Sequence, residues 1–155
     1  MNMPQPWSPV EVHQTIDAPR DEVFNAIADP RTYPDWLVGA QRIRHVDGDF
    51  PAPGAKFDHS VGPAEAVTVD DDTKAIAVQG HRRLVLEVHI GPFQGEVEFQ
   101  LKKRGDASTE VKMRERPIGP IVVVTPLLRP ILAARNSASL QRLAKVIEAS
   151  SADAA

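Results

Sequence analysis

The sequence of 155 residues contains no cysteine. Disulfide bonds, thiolate nucleophiles and the common cysteine-ligated zinc sites are therefore excluded. The formal net charge is only −3, and no long run of lysine and arginine indicates a nucleic-acid partner. Two short basic groups, Arg82-Arg83 and Lys102 to Arg104, fit the solvated ends of strands.

Long hydrophobic runs are also missing. The most apolar stretch, 118–134, is shorter than a membrane span and is interrupted by prolines and an arginine. We therefore expect core or loop there, with an interfacial membrane contact as the alternative, and no integral membrane segment. Residues 1–9 lack the cationic and apolar regions of a signal peptide, so a cytoplasmic protein is the expectation.

The motifs of several enzyme classes are absent as well. The chain has no glycine-rich phosphate loop, no Gly-x-Ser-x-Gly elbow and no His-x-x-x-His pair. Nucleotide binding and serine hydrolysis are therefore not expected. We predict no metal site and no cofactor.

The composition is that of one globular domain. Hydrophobic residues make up 42% of the chain and charged residues 25%, which suffices for a core without disulfides or metal. We expect a single domain over residues 10–149, with flexible termini at 1–9 and 150–155.

The periodicity of apolar residues predicts a strand followed by two short helices. Val10 to Ile16 alternates with period two, as a half-buried strand does. Pro19 at the first helical position, with acidic residues in the first turn, marks a helix that ends before Pro30. A second helical turn is predicted over 31–36.

From Gln41 onward the period returns to two, which predicts an antiparallel meander. The strands are expected near 41–47, 55–61, 73–79, 83–90, 94–103 and 109–116. Between them lie residues typical of turns, at Asp47 to Asp49, Pro53-Gly54, Gly62-Pro63, Asp70 to Asp72, Gly91-Pro92 and Arg104 to Asp106. One face of the sheet is strongly apolar and needs a cover.

The C-terminal segment supplies that cover. Apolar residues recur at helical spacing together with one amide, at Leu128, Leu132, Asn136, Leu140, Leu143 and Ile147. The start of this helix is open between Thr125 and Pro130. The predicted fold is thus α+β: a seven-stranded curved antiparallel sheet wrapped around a long C-terminal helix, with two short helices after the first strand.

Several local strings resemble the polyketide cyclase/dehydrase and lipid-transport superfamily, the START-like or SRPBCC helix-grip proteins. They are Ile16 to Pro19 with Glu22 to Phe24, Ala28 to Pro30 with Tyr33 to Trp36, Arg83 to Glu87, Thr109 to Glu115, Ala134 to Asn136 and Ser139 to Leu143. The resemblance covers about residues 10–149. It implies the helix-grip fold and a cavity for lipids, sterols, quinones or polyketides, but no family-wide catalytic motif.

Three residues have two interpretations each. Trp36 either gates or lines the cavity, or it anchors the connection between helix and strand. Glu115 continues the inward parity of Val111 and Met113, so it is either a buried acid or a solvated residue at a strand end. Asn136 either binds a ligand or makes a structural bond to backbone or to Glu115.

The histidines carry a weaker signal. His59 shares strand parity with Phe57, and His45 shares it with Ile43, so the pattern leaves open which imidazole faces the interior. His13, His81 and His89 are predicted to lie outward or in turns. No arrangement of a base with an orienting group is visible.

These observations favour binding or transport of a small hydrophobic ligand over catalysis. The predicted ligand-binding residues are Trp36, Phe57, His59, Val88, Phe99, Met113, Glu115, Leu132 and Asn136. The alternative is a polyketide cyclase or aromatase that uses Glu115, His59 or Asn136 as acid, base or orienting group. A third hypothesis is a protein-interaction module that uses the open edge or groove.

Overall fold

The computed structural model describes residues 8–119 and 125–153. In chain order the elements are β1 (Val10–Ile16), α1 (Arg20–Ile27), a 3-10 turn (Pro30–Thr32), α2 (Tyr33–Trp36), β2 (Ala40–Val46), β3 (Lys56–Ala64), β4 (Val67–Gln79), β5 (Arg83–Ile90), β6 (Phe93–Gly105), β7 (Ser108–Ile118) and α3 (Thr125–Asp153). Within the described residues, the seven strands form one sheet in the order β1-β7-β6-β5-β4-β3-β2. Every neighbouring pair is antiparallel, which confirms the predicted sheet.

The C-terminal half of α3 is fixed in the core. Leu140 and Leu143 are fully buried and Ile147 is nearly so, while the helix packs chiefly against β1 and α2. The N-terminal half is different, because Leu128 and Leu132 are only half-buried. The predicted apolar stripe therefore packs closely against the core in the C-terminal half of the helix and borders an open space in the N-terminal half.

The bounds of the helices differ slightly from the predicted ones. Pro19 is the residue before α1 and not its first helical residue. Helix α3 begins at Thr125, contains Pro130 in its interior and continues to Asp153, into the segment predicted to be a flexible terminus. Residues 120–124 of the apolar stretch, and the chain ends 1–7 and 154–155, lie outside the described residues.

Two predicted turns are wrong, because the residues lie in strands. Asp70 to Asp72 belong to β4 and pair with Ser60 to Asp58 of β3, where Ser60 Oγ donates a 2.6 Å hydrogen bond to Asp70 Oδ1. Gly62 lies in β3 beside a register shift, where a Cβ atom would meet the Val67 carbonyl oxygen at 1.9 Å. This glycine thus permits a close strand approach and not the predicted turn.

No helix in the described part of the chain is long and apolar enough to cross a membrane.

The anchored half of α3 gives the first prediction. Leu140 is completely buried, so Leu140→Ala removes apolar contacts and leaves a cavity at the centre of the contact between helix and sheet. We expect the free energy of unfolding to fall by about 2–5 kcal/mol in urea denaturation. Lys145→Ala, at an exposed position of the same helix, is the control and should change it by less than about 0.5 kcal/mol. Equal stability of the Leu140→Ala variant and the parent would contradict the gripped helix.

Candidate ligand-binding site

A cavity of about 290 Å³ lies between the sheet, α2 and the N-terminal half of α3. Its volume is at the lower end of the range for pockets that hold drug-sized molecules. The lining is dominated by apolar and aromatic side chains, contributed by every strand except β1: Tyr33, Trp36, Leu37, Ala40, Ile43, Phe57, His59, Val61, Thr73, Leu86, Val88, Ile90, Phe93, Val97, Phe99, Met113, Glu115, Leu128, Leu132 and Arg135.

Aromatic rings form one wall of the cavity. The Tyr33 ring packs edge-on against both Trp36 and Phe57, with centroid distances of 5.1 and 5.4 Å. The polar atoms of the first two rings are directed to the protein, because Tyr33 Oη donates to the Ile27 carbonyl and Trp36 Nε1 donates to Thr32 Oγ1. Burial raises the pKa of Tyr33, so its hydroxyl stays a proton donor. These rings therefore present mainly carbon to the cavity.

Glu115 places a carboxylate in an otherwise apolar row of the sheet. Leu86, Val97 and Glu115 are cross-strand neighbours on β5, β6 and β7, and Glu115 is only 3% exposed. Its Oε1 atom accepts a 3.0 Å hydrogen bond from Nδ2 of Asn136, which is fully buried on α3. The structure thus shows a buried carboxylate at Glu115 and not a solvated residue at a strand end.

Arg135 completes this polar group. Its Nη1 atom donates a 3.3 Å hydrogen bond to Asn136 Oδ1 and lies 3.8 Å from Glu115 Oε1. Its Nε atom donates to the Val38 carbonyl at 3.0 Å, and Ser139 Oγ accepts from the Val38 amide. The loop after α2 thus fixes the guanidinium at the cavity wall.

His59 lies on the opposite side of the cavity. Its Nε2 atom is 3.0 Å from Thr73 Oγ1, and its Nδ1 atom is buried without a hydrogen-bond partner among the described residues. Burial lowers the pKa of His59, which favours the neutral imidazole. Since β4, β5 and β6 separate His59 on β3 from Glu115 on β7, these residues are roughly 19 Å apart measured along the sheet.

Comparison with known families gives a match over nearly the whole chain. Residues 9–148 match the family described as "Polyketide cyclase / dehydrase and lipid transport". The chain belongs to this family. None of the curated proteins matches the sequence significantly.

Solved structures share the fold of this polyketide cyclase/dehydrase family member at low sequence identity. Protein NE0264 from Nitrosomonas europaea is 13% identical with a TM-score of 0.74, over 94% of this chain and 97% of that one. The ZhuI aromatase/cyclase from Streptomyces sp. R1128 is 13% identical with a TM-score of 0.72, over 90% and 93%. The di-domain aromatase/cyclase StfQ of the steffimycin pathway is 10% identical with a TM-score of 0.68, over 94% and 52%. At these identities the similarity establishes the helix-grip fold alone.

The residues predicted from sequence to bind a ligand all line the cavity of this family member, except Asn136. Asn136 lies behind Glu115 and makes the structural bond that was its second interpretation. Trp36 is fully buried, so it both anchors the aromatic wall and lines the cavity. Ligand contact by these residues stays a prediction.

The structure decides which candidate histidine faces outward, and sequence reasoning missed the arginine. A register shift between Ile43 and His45 reverses the alternation of β2, so the His45 side chain faces outward and is 62% exposed. Its Nε2 atom lies 3.2 Å from Asp47 Oδ1. Arg135 was missed because its neighbour Asn136 occupies the apolar stripe. The spacing Leu128, Leu132, Arg135 would have revealed it, since these positions share one helix face.

A second polar cluster lies on the outer face of the sheet. His89 Nδ1 is 2.9 Å from Asp72 Oδ1, and His89 Nε2 is 3.0 Å from Glu87 Oε1. The Asp71, Asp72 and His89 ligand atoms all lie within 4.8 Å of one another, a spacing that a metal ion would accept and that the sequence did not predict. The cluster already has internal partners, because both His89 nitrogens face carboxylates and Asp71 Oδ2 accepts from the Gly91 amide.

This cluster predicts a pH dependence of stability. The hydrogen bond with Asp72 raises the pKa of His89, and only the protonated ring donates from both nitrogens. The stabilisation is therefore complete below the pKa of an unfolded histidine, about 6.5, and is lost as the pH rises through the raised pKa of the folded state.

We expect His89→Gln to lower the free energy of unfolding at pH 5.5 by about 0.2–1 kcal/mol, and by less at pH 9. Urea denaturation across this pH range measures the difference. Gln79→Ala is the control, because it removes no titratable group from the strand that carries Asp72 and should show no such trend. A constant difference between the His89→Gln variant and the parent would contradict the protonated bridge.

Proposed function

We propose that this protein binds or carries a small hydrophobic molecule, of lipid, quinone or polyketide-like character, inside the cavity. The observation that carries the proposal is the cavity lining. Its polar members are few, and Tyr33 and Trp36 already direct their polar atoms to protein acceptors. Pockets of this kind bind apolar molecules and use a small number of polar groups to orient them.

Binding ranks before catalysis because the two candidate acid-base groups lie on strands that are not neighbours in the sheet. His59 on β3 and Glu115 on β7 line the same cavity, with three strands between their own strands. The His59 ring nitrogens are paired with Thr73 or buried in protein. A general acid and a general base that act on one bond would both have to reach it within hydrogen-bond distance.

A neutral fluorescent probe, N-phenyl-1-naphthylamine, tests the proposal. We expect saturable binding with a Kd in the micromolar to millimolar range and displacement by quinones, lipids or polycyclic aromatics. Val88→Trp fills the cavity from β5 and should weaken probe binding at least tenfold, because the added ring takes up the space of the ligand.

Lys112→Trp, on the outer face of β7, is the matched control and should bind the probe like the parent. Far-UV and near-UV circular dichroism of both variants must match the parent, because loosened packing by itself binds such probes. Equal affinity of the Val88→Trp variant and the parent would count against the cavity as the binding site.

A cyclase or aromatase is the second candidate function. It is supported by the buried carboxylate of Glu115 in the cavity wall and by the similarity to the fold of the ZhuI aromatase/cyclase. Here Glu115 would transfer a proton to or from a polyketide-like substrate.

The two functions differ in the effect of Glu115→Gln. For an enzyme we expect turnover, followed by mass spectrometry of products, to fall about 10²–10⁴-fold while ligand affinity changes little. For a carrier the same change should alter affinity by about 0.5–1.5 kcal/mol, with no turnover to lose. Turnover that persists at the parent rate in this variant would exclude Glu115 as the catalytic acid or base.

A further inference from the structure

Glu115 and Arg135 are the charged pair of the cavity wall. Among the described residues that line the cavity, no other aspartate, glutamate, lysine or arginine is present. The Glu115 side chain is 4% exposed and that of Arg135 is 26% exposed. The carboxylate is thus more deeply buried than the guanidinium.

Each partner keeps an unused hydrogen-bonding atom. The hydrogen bond to Glu115 from described residues ends on Oε1, which leaves Oε2 without a donor. The guanidinium of Arg135 uses Nε and Nη1, which leaves the two hydrogens of Nη2 without an acceptor among the described residues. The 3.8 Å between Nη1 and Oε1 is too long for a direct hydrogen bond.

This pattern has one acceptor and one donor group on two residues whose nearest charged atoms are 3.8 Å apart, and a hydroxyl group complements both. A hydroxyl donates its hydrogen to one partner and accepts through its oxygen lone pairs. Hydrogen bonds to charged groups are also the stronger ones, since the low dielectric around them strengthens the interaction.

The charge of the pair discriminates against ionic ligands. Glu115 and Arg135 together are neutral, so a ligand carboxylate would add an uncompensated negative charge beside a buried carboxylate. Burying an unpaired charge costs far more than burying a hydroxyl that finds two partners. A hydrocarbon avoids that cost but leaves Oε2 and Nη2 without partners.

We propose that the Glu115–Arg135 pair selects neutral apolar ligands that carry a hydroxyl group, which donates to Glu115 Oε2 and accepts from Arg135. The proposal rests on the ligand-binding function proposed above. It places the hydroxyl end of the ligand at the contact between β7 and α3 and the apolar body over β3 to β6. Neither fatty-acid carboxylates nor plain hydrocarbons fit this site as well.

Three probes with the same ring system test the selection: naphthalene, 2-naphthol and 2-naphthoate. At pH 7 the phenol is neutral and the carboxylate is charged. Displacement of N-phenyl-1-naphthylamine gives the three dissociation constants. We expect 2-naphthol to bind about tenfold more tightly than naphthalene, equivalent to about 1.4 kcal/mol, and more tightly than 2-naphthoate.

Two variants then assign the selection to the pair. Glu115→Gln removes the negative charge and keeps the shape of the side chain, so 2-naphthoate should bind more tightly. The ratio of the dissociation constant of 2-naphthoate to that of 2-naphthol should fall at least tenfold. In Arg135→Gln the affinity for 2-naphthoate should fall further and the advantage of 2-naphthol over naphthalene should shrink. Asp106→Asn in the turn between β6 and β7, and Arg142→Gln on the exposed side of α3, are charge-matched controls that should keep the parent ranking.

The order of affinities is measured on the parent protein, so the proposal can be contradicted even if a variant folds poorly. If 2-naphthol binds the parent no better than naphthalene, or if 2-naphthoate binds most tightly, the selection by the pair is overturned while the hydrophobic cavity stands. The proposed selection is also overturned if the folded Glu115→Gln variant has the same ratio of dissociation constants for 2-naphthoate and 2-naphthol as the parent. If neither N-phenyl-1-naphthylamine nor any of the three probes binds, the ligand-binding function itself fails, and this inference fails with it.

Discussion

Hydrogen bonds to the backbone of Val38 hold the middle of α3 at a fixed height over the sheet. Arg135 donates to the Val38 carbonyl and Ser139 accepts from its amide, so one turn of the helix is tied to the loop after α2. Below this point Leu140 and Leu143 close the core, and above it Leu132 remains half-buried. Because both the loop and the C-terminal half of the helix are fixed, the N-terminal half cannot settle onto the sheet. The cavity is the space that this constraint leaves open.

The same constraint places charge inside the cavity. Arg135 is oriented by Val38, and through Asn136 it connects to Glu115 across the contact between helix and strand. A buried carboxylate with a single hydrogen-bond donor is costly, and replacement of such groups by apolar residues often stabilises a protein. The burial of Glu115 is therefore weak evidence for a stabilising role. The role in orienting a ligand that we propose would account for the position of the pair.

The sequence predicted those features that depend on local periodicity. Strand alternation put Val88, Phe99 and Met113 on the inner face, and helical spacing identified the stripe that ends in Leu143 and Ile147. The wrong and the undecided positions are those where pairing with a neighbouring strand decides the outcome. The aspartates from Asp70 to Asp72 have turn propensity, yet their carboxylates find partners on Ser60, His89 and Gly91, which are distant in sequence. His45 faces outward because of a bulge, which depends on pairing with β3 and leaves no mark in the sequence of β2.

This division between local and non-local information also explains why similar folds at 13% identity do not define one chemistry. Many apolar sequences satisfy the alternation that builds the sheet and the stripe that covers it, so the cavity persists while its lining changes. Polar atoms in the lining are few and are not required by the fold. Among the described residues, Glu115 and Arg135 leave unused hydrogen-bonding atoms at one wall, while His59 and Thr73 are paired with each other at the opposite wall. A ligand of the kind we propose would therefore enter an asymmetric space, in which one polar group would fix its orientation and the rest of its surface would contact carbon.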